Sequence, residues 1–147
     1  MKILSILEAL KLNVGGPGLK LNIGSPPAVK SALAYLHAKL PQSPLNASEL
    51  LIMGDGDEPI AGIKIWGFKD GLYLGNIRSF ASGGGRKALE MIISVADDYH
   101  VPVYLSVEPT GKKSLTKQQL MAWYGRHGFV VDKNNPQADS MVLYPSS

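Results

Sequence analysis

Apolar and polar positions along the chain follow two periods, and the changes between them divide it into elements. Residues 1–12 place Ile3, Leu4, Leu7 and Leu10 at helical spacing, which predicts a short amphipathic helix. Val14-Gly15-Gly16-Pro17-Gly18 breaks the chain, and residues 19–23 alternate as a half-buried strand does. Ser25 is placed to cap a helix, with Pro26 and Pro27 tolerated in a first turn that needs no N–H. Val29, Ala32, Leu33, Leu36 and Leu40 continue that helix until Pro41, and His37 falls off the apolar stripe, where it reads as solvated. The period then shortens to two. Strands are predicted over 49–53, 60–66 and 72–80, joined by turns at Gly54-Asp55-Gly56-Asp57 and Lys69-Asp70-Gly71, which makes a meander. The Asp-x-Asp of the first turn resembles part of a calcium loop, but no glutamate closes a loop of the right length.

Residues 83–100 carry the strongest helical signal, with Ala88, Leu89, Ile92, Val95, Ala96 and Tyr99 on one face. Asp97 and Asp98 read as its solvated side. An apolar strand over 101–107 follows at once. Strand, glycine turn, helix and strand in that order make a βαβ unit, so the two strands are expected parallel with a right-handed crossover. Residues 109–113 read as a loop. Thr116-Lys117-Gln118-Gln119 then spells a capping box, Leu120, Trp123, Tyr124 and His127 recur at helical spacing, and Gly128 suits a left-handed helix end. Residues 129–131 and 141–144 are predicted to pair as a hairpin. The expectation is one α/β domain over 1–147, with a mixed sheet of about six or seven strands, helices on both faces, and residues 1–14 as an accessory helix that is a candidate for homodimer contacts.

Composition narrows the function. With 45% hydrophobic and 18% charged residues, the 147-residue chain has the material for a core and too little charge for disorder. It has no cysteine, which excludes disulfides, thiolate metal sites and a cysteine nucleophile, and fits a reducing, cytoplasmic setting. No apolar run is long enough to span a membrane. Glu8 and Lys11 interrupt the leading apolar stretch, so it reads as mature protein and not as a signal peptide. A net charge of +3 suits an anionic ligand but is not the dense basic stripe of a nucleic-acid binder. Sixteen glycines and ten prolines exceed average usage, pointing to many turns or a glycine-built site.

That site is placed at Ile77-Arg78-Ser79-Phe80-Ala81-Ser82-Gly83-Gly84-Gly85-Arg86-Lys87. A strand runs into three glycines and then a helix, so backbone N–H groups and the helix dipole can converge on an anion, with Arg86 and Lys87 beside them. The residues describe a phosphate cradle. No Ser or Thr follows the lysine as a P-loop requires, and the turn lies too late in the chain for a dinucleotide fingerprint.

With Trp123-Tyr124-Gly125-Arg126-His127-Gly128-Phe129 following the βαβ unit, the sequence over about 19–145 resembles the GNAT (Gcn5-related) N-acetyltransferases. The resemblance implies an acyl-CoA N-acyltransferase-like fold: a mixed, mostly antiparallel sheet with a central parallel strand pair and flanking helices. It implies acetyl-CoA as co-substrate, with Gly83, Gly84 and Gly85 at the pyrophosphate, and Ser82, Arg86 and Lys87 beside it. Ile77 and Ser79 would offer backbone groups to the pantetheine arm. Tyr124 matches the family tyrosine that protonates the departing thiolate, and the missing cysteine argues for direct attack by a primary amine. A strand amide near Ile77 would steady the tetrahedral intermediate.

The chain departs from the family pattern in two places. Ala81 stands where the loop has an Arg or Gln, and Arg86 falls on its second glycine. Lys117 stands near the place of an asparagine. Glu108, after the second parallel strand, is the candidate general base, with His100 and His127 as less favoured alternatives. The acceptor amine is left unidentified. A non-catalytic CoA-binding or protein-interaction module on the same fold is the rival expectation.

Overall fold

The computed structural model describes residues 26–108, 115–135 and 139–146. The predicted helix over 1–12, the strand over 19–23, the Ser25 cap and the loop over 109–113 lie outside the described residues. Helix α1 is Pro27–Lys39, followed by strands β1 Leu50–Met53, β2 Pro59–Phe68 and β3 Gly71–Ser79. Helix α2, Gly84–Asp98, leads into β4, Val103–Ser106, and helix α3, Lys117–Arg126, into β5, Val130–Val131, and β6, Ser140–Leu143. The N-cap of α1 is Pro26, one position after the serine expected there, because Pro27 already takes the first helical position. No described helix is long and apolar enough to cross a membrane.

The six strands form one sheet in the order β1-β2-β3-β4-β6-β5. Every neighbouring pair is antiparallel except β3 and β4, which α2 connects as a parallel pair. The registers Leu50↔Ile63, Ile65↔Leu74, Leu72↔Val103 and Leu74↔Leu105 line one face with buried aliphatic side chains. Ala88, Leu89, Ile92, Val95 and Ala96 of α2 are buried with them in one core. Val29, Ala32 and Leu36 of α1 join the same core, and Tyr35 meets Tyr99 with ring centroids 6.2 Å apart. The two helices therefore share a face instead of dividing between two. α2 stops at Asp98, short of the predicted 100, because His100 turns left-handed at φ 56°. Asp97 is not simply solvated: it accepts the Ser146 N–H at 2.6 Å.

Two irregularities shape the middle of the sheet. The turn between β2 and β3 is Lys69-Asp70 alone. Gly71 belongs to the strand, and a Cβ there would lie 2.2 Å from the Pro102 carbonyl oxygen. Its missing side chain lets β3 start against Pro102, whose carbonyl accepts the Leu72 N–H at 2.9 Å. Further on, the β2–β3 register jumps from Ile65↔Leu74 to Lys64↔Asn76 and leaves Gly75 as a bulge. The β3–β4 pairing ends at the same point, with Leu74↔Leu105.

The opposite sheet face holds an ion pair that the sequence does not announce, between a buried Glu49 and a half-exposed Arg78. Glu49, just before β1, is 1% exposed, and its two carboxylate oxygens accept hydrogen bonds from Arg78 Nε and Nη2 at 2.8 and 2.7 Å. Gly62 makes this possible, since a Cβ there would lie 2.5 Å from Glu49 Cδ. The hydrogen bonds from Arg78 hold the Glu49 carboxyl below its ordinary range; burial pushes the other way, and the charges of Arg78 and Lys64 reinforce the lowering. A carboxyl lowered on folding adds stability that is present above its unfolded pKa and is lost as pH falls through the folded one. Denaturant titrations of the wild type should therefore show a loss of stability as pH drops below about 4.5. The same titrations of Glu49→Gln should be flatter in that window. Equal slopes for the two proteins would contradict the role given to this pair.

Candidate functional site

β3 runs five residues past its last partner on β4, so among the described residues its β4-side edge is open. The direction of its backbone groups follows from one hydrogen bond. The Phe80 N–H donates to the Ile60 oxygen at 2.8 Å, so Phe80 faces β2. Arg78 and Asn76 face the same way by alternation, and the N–H and C=O groups of Ile77 and Ser79 point into the gap. These are the two residues that the resemblance assigned to a pantetheine arm.

The open edge leads into the start of α2. Ser79 Oγ donates to the Ala81 oxygen at 2.8 Å and the Gly84 N–H donates to the same oxygen at 2.9 Å, tightening the turn through Ser82. The three glycines have separate reasons. Gly83 adopts φ +79°, which favours glycine, and its surroundings are open. Gly84 is buried, and a Cβ there would lie 2.0 Å from the Ile60 carbonyl oxygen, so its bare backbone is what presses α2 onto β2. Gly85 has neither reason. A Cβ there would sit 3.8 Å from Ile77 and Ser79 side-chain carbons and 4.0 Å from the Trp123 ring, in ordinary contact. It borders the slot between the β3 edge and α3. The helix has no side-chain cap, and the Gly85 and Arg86 N–H groups have no partner among the described residues. They are free first-turn donors.

The predicted cations do not converge on this point. Arg86 extends along the helix to Glu90, 3.4 Å away and largely exposed. Lys87 lines a separate hollow with Leu40, Ile52, Met53 and Met91, on the flank towards α1 and β1. The positive potential at the loop thus comes mainly from backbone groups.

Where β3 and β4 part there is a cavity of about 420 Å³. Leu74, Ile77, Leu120 and Tyr124 line it, as do Glu108, just past β4, and Lys64, Trp66, Gly75, Asn76 and Ser106. Tyr124 arrives there because α3 is fixed at its start by the predicted capping box. Thr116 Oγ1 accepts the Gln119 N–H at 3.2 Å, and the Gln119 side chain accepts the Thr116 N–H at 2.9 Å. Phe129 packs on the tyrosine ring at 5.5 Å, after Gly128 turns the chain at φ +99°. Burial raises the Tyr124 pKa, so the phenol keeps its proton at neutral pH. No hydrogen-bond partner holds its oxygen among the described residues.

Glu108 is exposed on the rim. The histidines lie elsewhere. His100 is beyond the far end of the 15-residue α2, about 22 Å along the helix from its start. His127 Nδ1 lies 2.9 Å from the Trp123 oxygen, and the ring lines a different hollow beside Ile93 and Ala96.

Lys64, Trp66, Asn76, Ser106 and Trp123 were not foreseen as site residues. Trp66 is bound to the bulge: a Cβ on Gly75 would lie 2.4 Å from its ring, which stacks on Tyr73 at 5.1 Å and 22°. The glycine within the predicted strand was a sequence signal for a close approach of this kind.

No family model and no curated protein matches the chain in sequence. Solved structures are similar in fold. The anti-CRISPR protein AcrVA5 has a TM-score of 0.50 and 19% identity, covering 56% of this chain and 88% of that one. A histone acetyltransferase HPA2-related acetyltransferase of Corynebacterium glutamicum has a TM-score of 0.48 and 15% identity, covering 99% and 92%. The ribosomal-protein-S18-alanine N-acetyltransferase of Escherichia coli has a TM-score of 0.49 and 18% identity, covering 79% and 87%. At such identities the likeness concerns the fold. The observed sheet has the architecture that the GNAT resemblance implied: mostly antiparallel, with one central parallel pair and flanking helices.

The different reasons for Gly84 and Gly85 separate on mutation. Gly84→Ala should cost about 1–3 kcal/mol in denaturant unfolding, because backbone must move to admit the methyl group. Gly85→Ala should leave stability unchanged or raise it by up to about 1 kcal/mol, the ordinary gain of alanine over glycine in a helix.

Proposed function

We propose that the protein is an acetyl-CoA-dependent N-acetyltransferase that moves an acetyl group to a primary amine by direct attack. The open β3 edge that runs into an uncapped, glycine-built helix start carries this assignment. An extended amide-containing arm can add to such an edge as a strand does, and a pyrophosphate suits free N–H donors at a helix N-terminus. Both features fit acetyl-CoA, and Gly85, with no side chain, borders them next to Ile77, Ser79 and Trp123.

When bound, acetyl-CoA supplies an activated acetyl thioester. Ile77 and Ser79 would hold the pantetheine arm through their backbone groups. Gly83, Gly84 and Gly85 would take the pyrophosphate, with Ser82 and Arg86 at its margin; Lys87 is turned away and has a lesser part. Tyr124 keeps a proton on the cavity wall, where a departing sulfur can receive it; loss of a thiol is easier than loss of a thiolate. Glu108, on the opposite rim, would take the proton of the incoming amine, directly or through water.

Tyr124→Phe tests the acid. It should lower kcat about 100-fold, within the range for general acids, with the KM for acetyl-CoA unchanged. Equal rates across the pH range would remove Tyr124 from the chemistry. Gly85→Ala should weaken acetyl-CoA binding in calorimetry while the fold holds. Binding of acetyl-CoA with no thiol release across an amine panel would favour the non-catalytic CoA-binding alternative, and absence of binding would overturn both CoA-dependent readings and leave the protein-interaction module.

A further inference from the structure

The cavity between β3 and β4 is lined by residues from both faces of the sheet. Leu74 and Ile77 lie on the helix-covered face, with Leu120 and Tyr124 of α3 beside them. Lys64 and Trp66 lie on the opposite face, since they alternate with the buried Ile63 and Ile65 along β2. Ser106 alternates in the same way with Leu105 on β4. If acetyl-CoA takes the Ile77–Ser79 edge, as proposed above, the mouth on the opposite face, beside Lys64 and Trp66, is left for the acceptor.

That mouth is polarised. Among the described residues two that line it are charged, Lys64 on β2 and Glu108 beyond β4. They stand on either side of β3, one on β2 and one just past the end of β4. Lys64 is half-buried and makes no ion pair among the described residues. Glu49, the carboxylate whose charge it feels, has both oxygens engaged by Arg78 and is sealed from the cavity mouth. Lys64 therefore has a charge to offer a ligand. Two further polar groups line the same cavity. Ser106 Oγ accepts the Tyr73 phenol proton at 2.9 Å and keeps its own proton to donate, and the Asn76 amide supplies another donor. Trp66, backed by Tyr73, makes a flat apolar wall between the charged ends.

A polyamine would bring a second cation against Lys64, and a neutral amine would leave this half-buried ammonium unmatched. We propose that the acceptor is a small amine bearing a carboxylate, with the carboxylate held by Lys64 and the carbon chain lying on Trp66. Its amine then stands on the Glu108 side. Lys64 is a specificity residue in this arrangement and takes no part in the proton transfers.

The test compares amines that differ only in the carboxylate. The probes are glycine, β-alanine and 4-aminobutanoate, each against its carboxamide, with spermidine as the polycation. Because the amide also changes the amine's basicity, the readout is the acid-to-amide ratio of kcat/KM in the wild type relative to each variant. Lys64→Gln should lower that ratio about 10- to 100-fold, the worth of one charge-assisted hydrogen bond. Lys64→Arg should restore most of it. The KM for acetyl-CoA and the thermal midpoint should stay unchanged in both, which separates lost recognition from lost folding. A ratio that does not move in Lys64→Gln, or a wild type that favours spermidine over every carboxylate-bearing probe, overturns the proposal and leaves the acetyltransferase assignment intact. Failure of the wild type to bind acetyl-CoA overturns both.

Discussion

The parting of β3 and β4 is the constraint from which the site follows. A parallel pair needs a crossover, and here α2 provides it. The pair is zipped for three residues only, from Leu72↔Val103 to Leu74↔Leu105. At that point the bulge at Gly75 redirects β3, which stays registered with β2 through Ser79, while β4 ends at Ser106. Unpaired strand edges inside a sheet are costly, because backbone donors and acceptors are left without partners. This one is kept open by elements anchored elsewhere: β3 by β2, β4 by β6, and α2 by the contact between Gly84 and Ile60. The unmet hydrogen-bonding capacity of the edge is what a ligand can use.

The two faces of the sheet divide the work. The helix-covered face is aliphatic and closely packed, and it fixes where α2 begins and where α3 brings Tyr124. The other face carries charge and aromatic rings. Glu49 and Arg78 lie across Gly62 there, and Phe68, Tyr73, Trp66 and Tyr104 form a chain of ring contacts between 5.1 and 5.6 Å. The Tyr104 phenol donates to Asp70 at 2.6 Å, and burial with that partner pushes its pKa well above the ordinary value. These contacts stiffen β2 and β3 on either side of the bulge, so Trp66 and Lys64 are presented on a rigid wall. Glycines at 62, 71, 75 and 84 recur where another group crosses the backbone closely. Part of the glycine usage therefore serves close packing and not turns.

Local signals in the chain were sufficient for the elements. Helical spacing in 83–100, the Thr116–Gln119 capping box and the strand–glycine–helix–strand order are short-range facts, and each reappears in the structure. They determined that a parallel pair exists, that a helix begins at the glycine turn, and that Tyr124 sits on a helix leading to Gly128 and Phe129. What the sequence could not supply was the register between distant segments. The bulge at Gly75 and the end of the β3–β4 pairing depend on how β2 and β4 each engage β3. The pairing of Glu49 with Arg78, the turning of Lys87 away from the loop, and the meeting of Lys64, Trp66, Ser106 and Tyr124 around one cavity depend on strand order. A charge in an alternating strand looks alike whether it faces water or a cavity, since its surroundings come from residues tens of positions away. The sequence by itself determined which elements form and the chemistry they carry; only the tertiary structure decided which side chains meet, because that is set by sheet register and the line along which two strands separate.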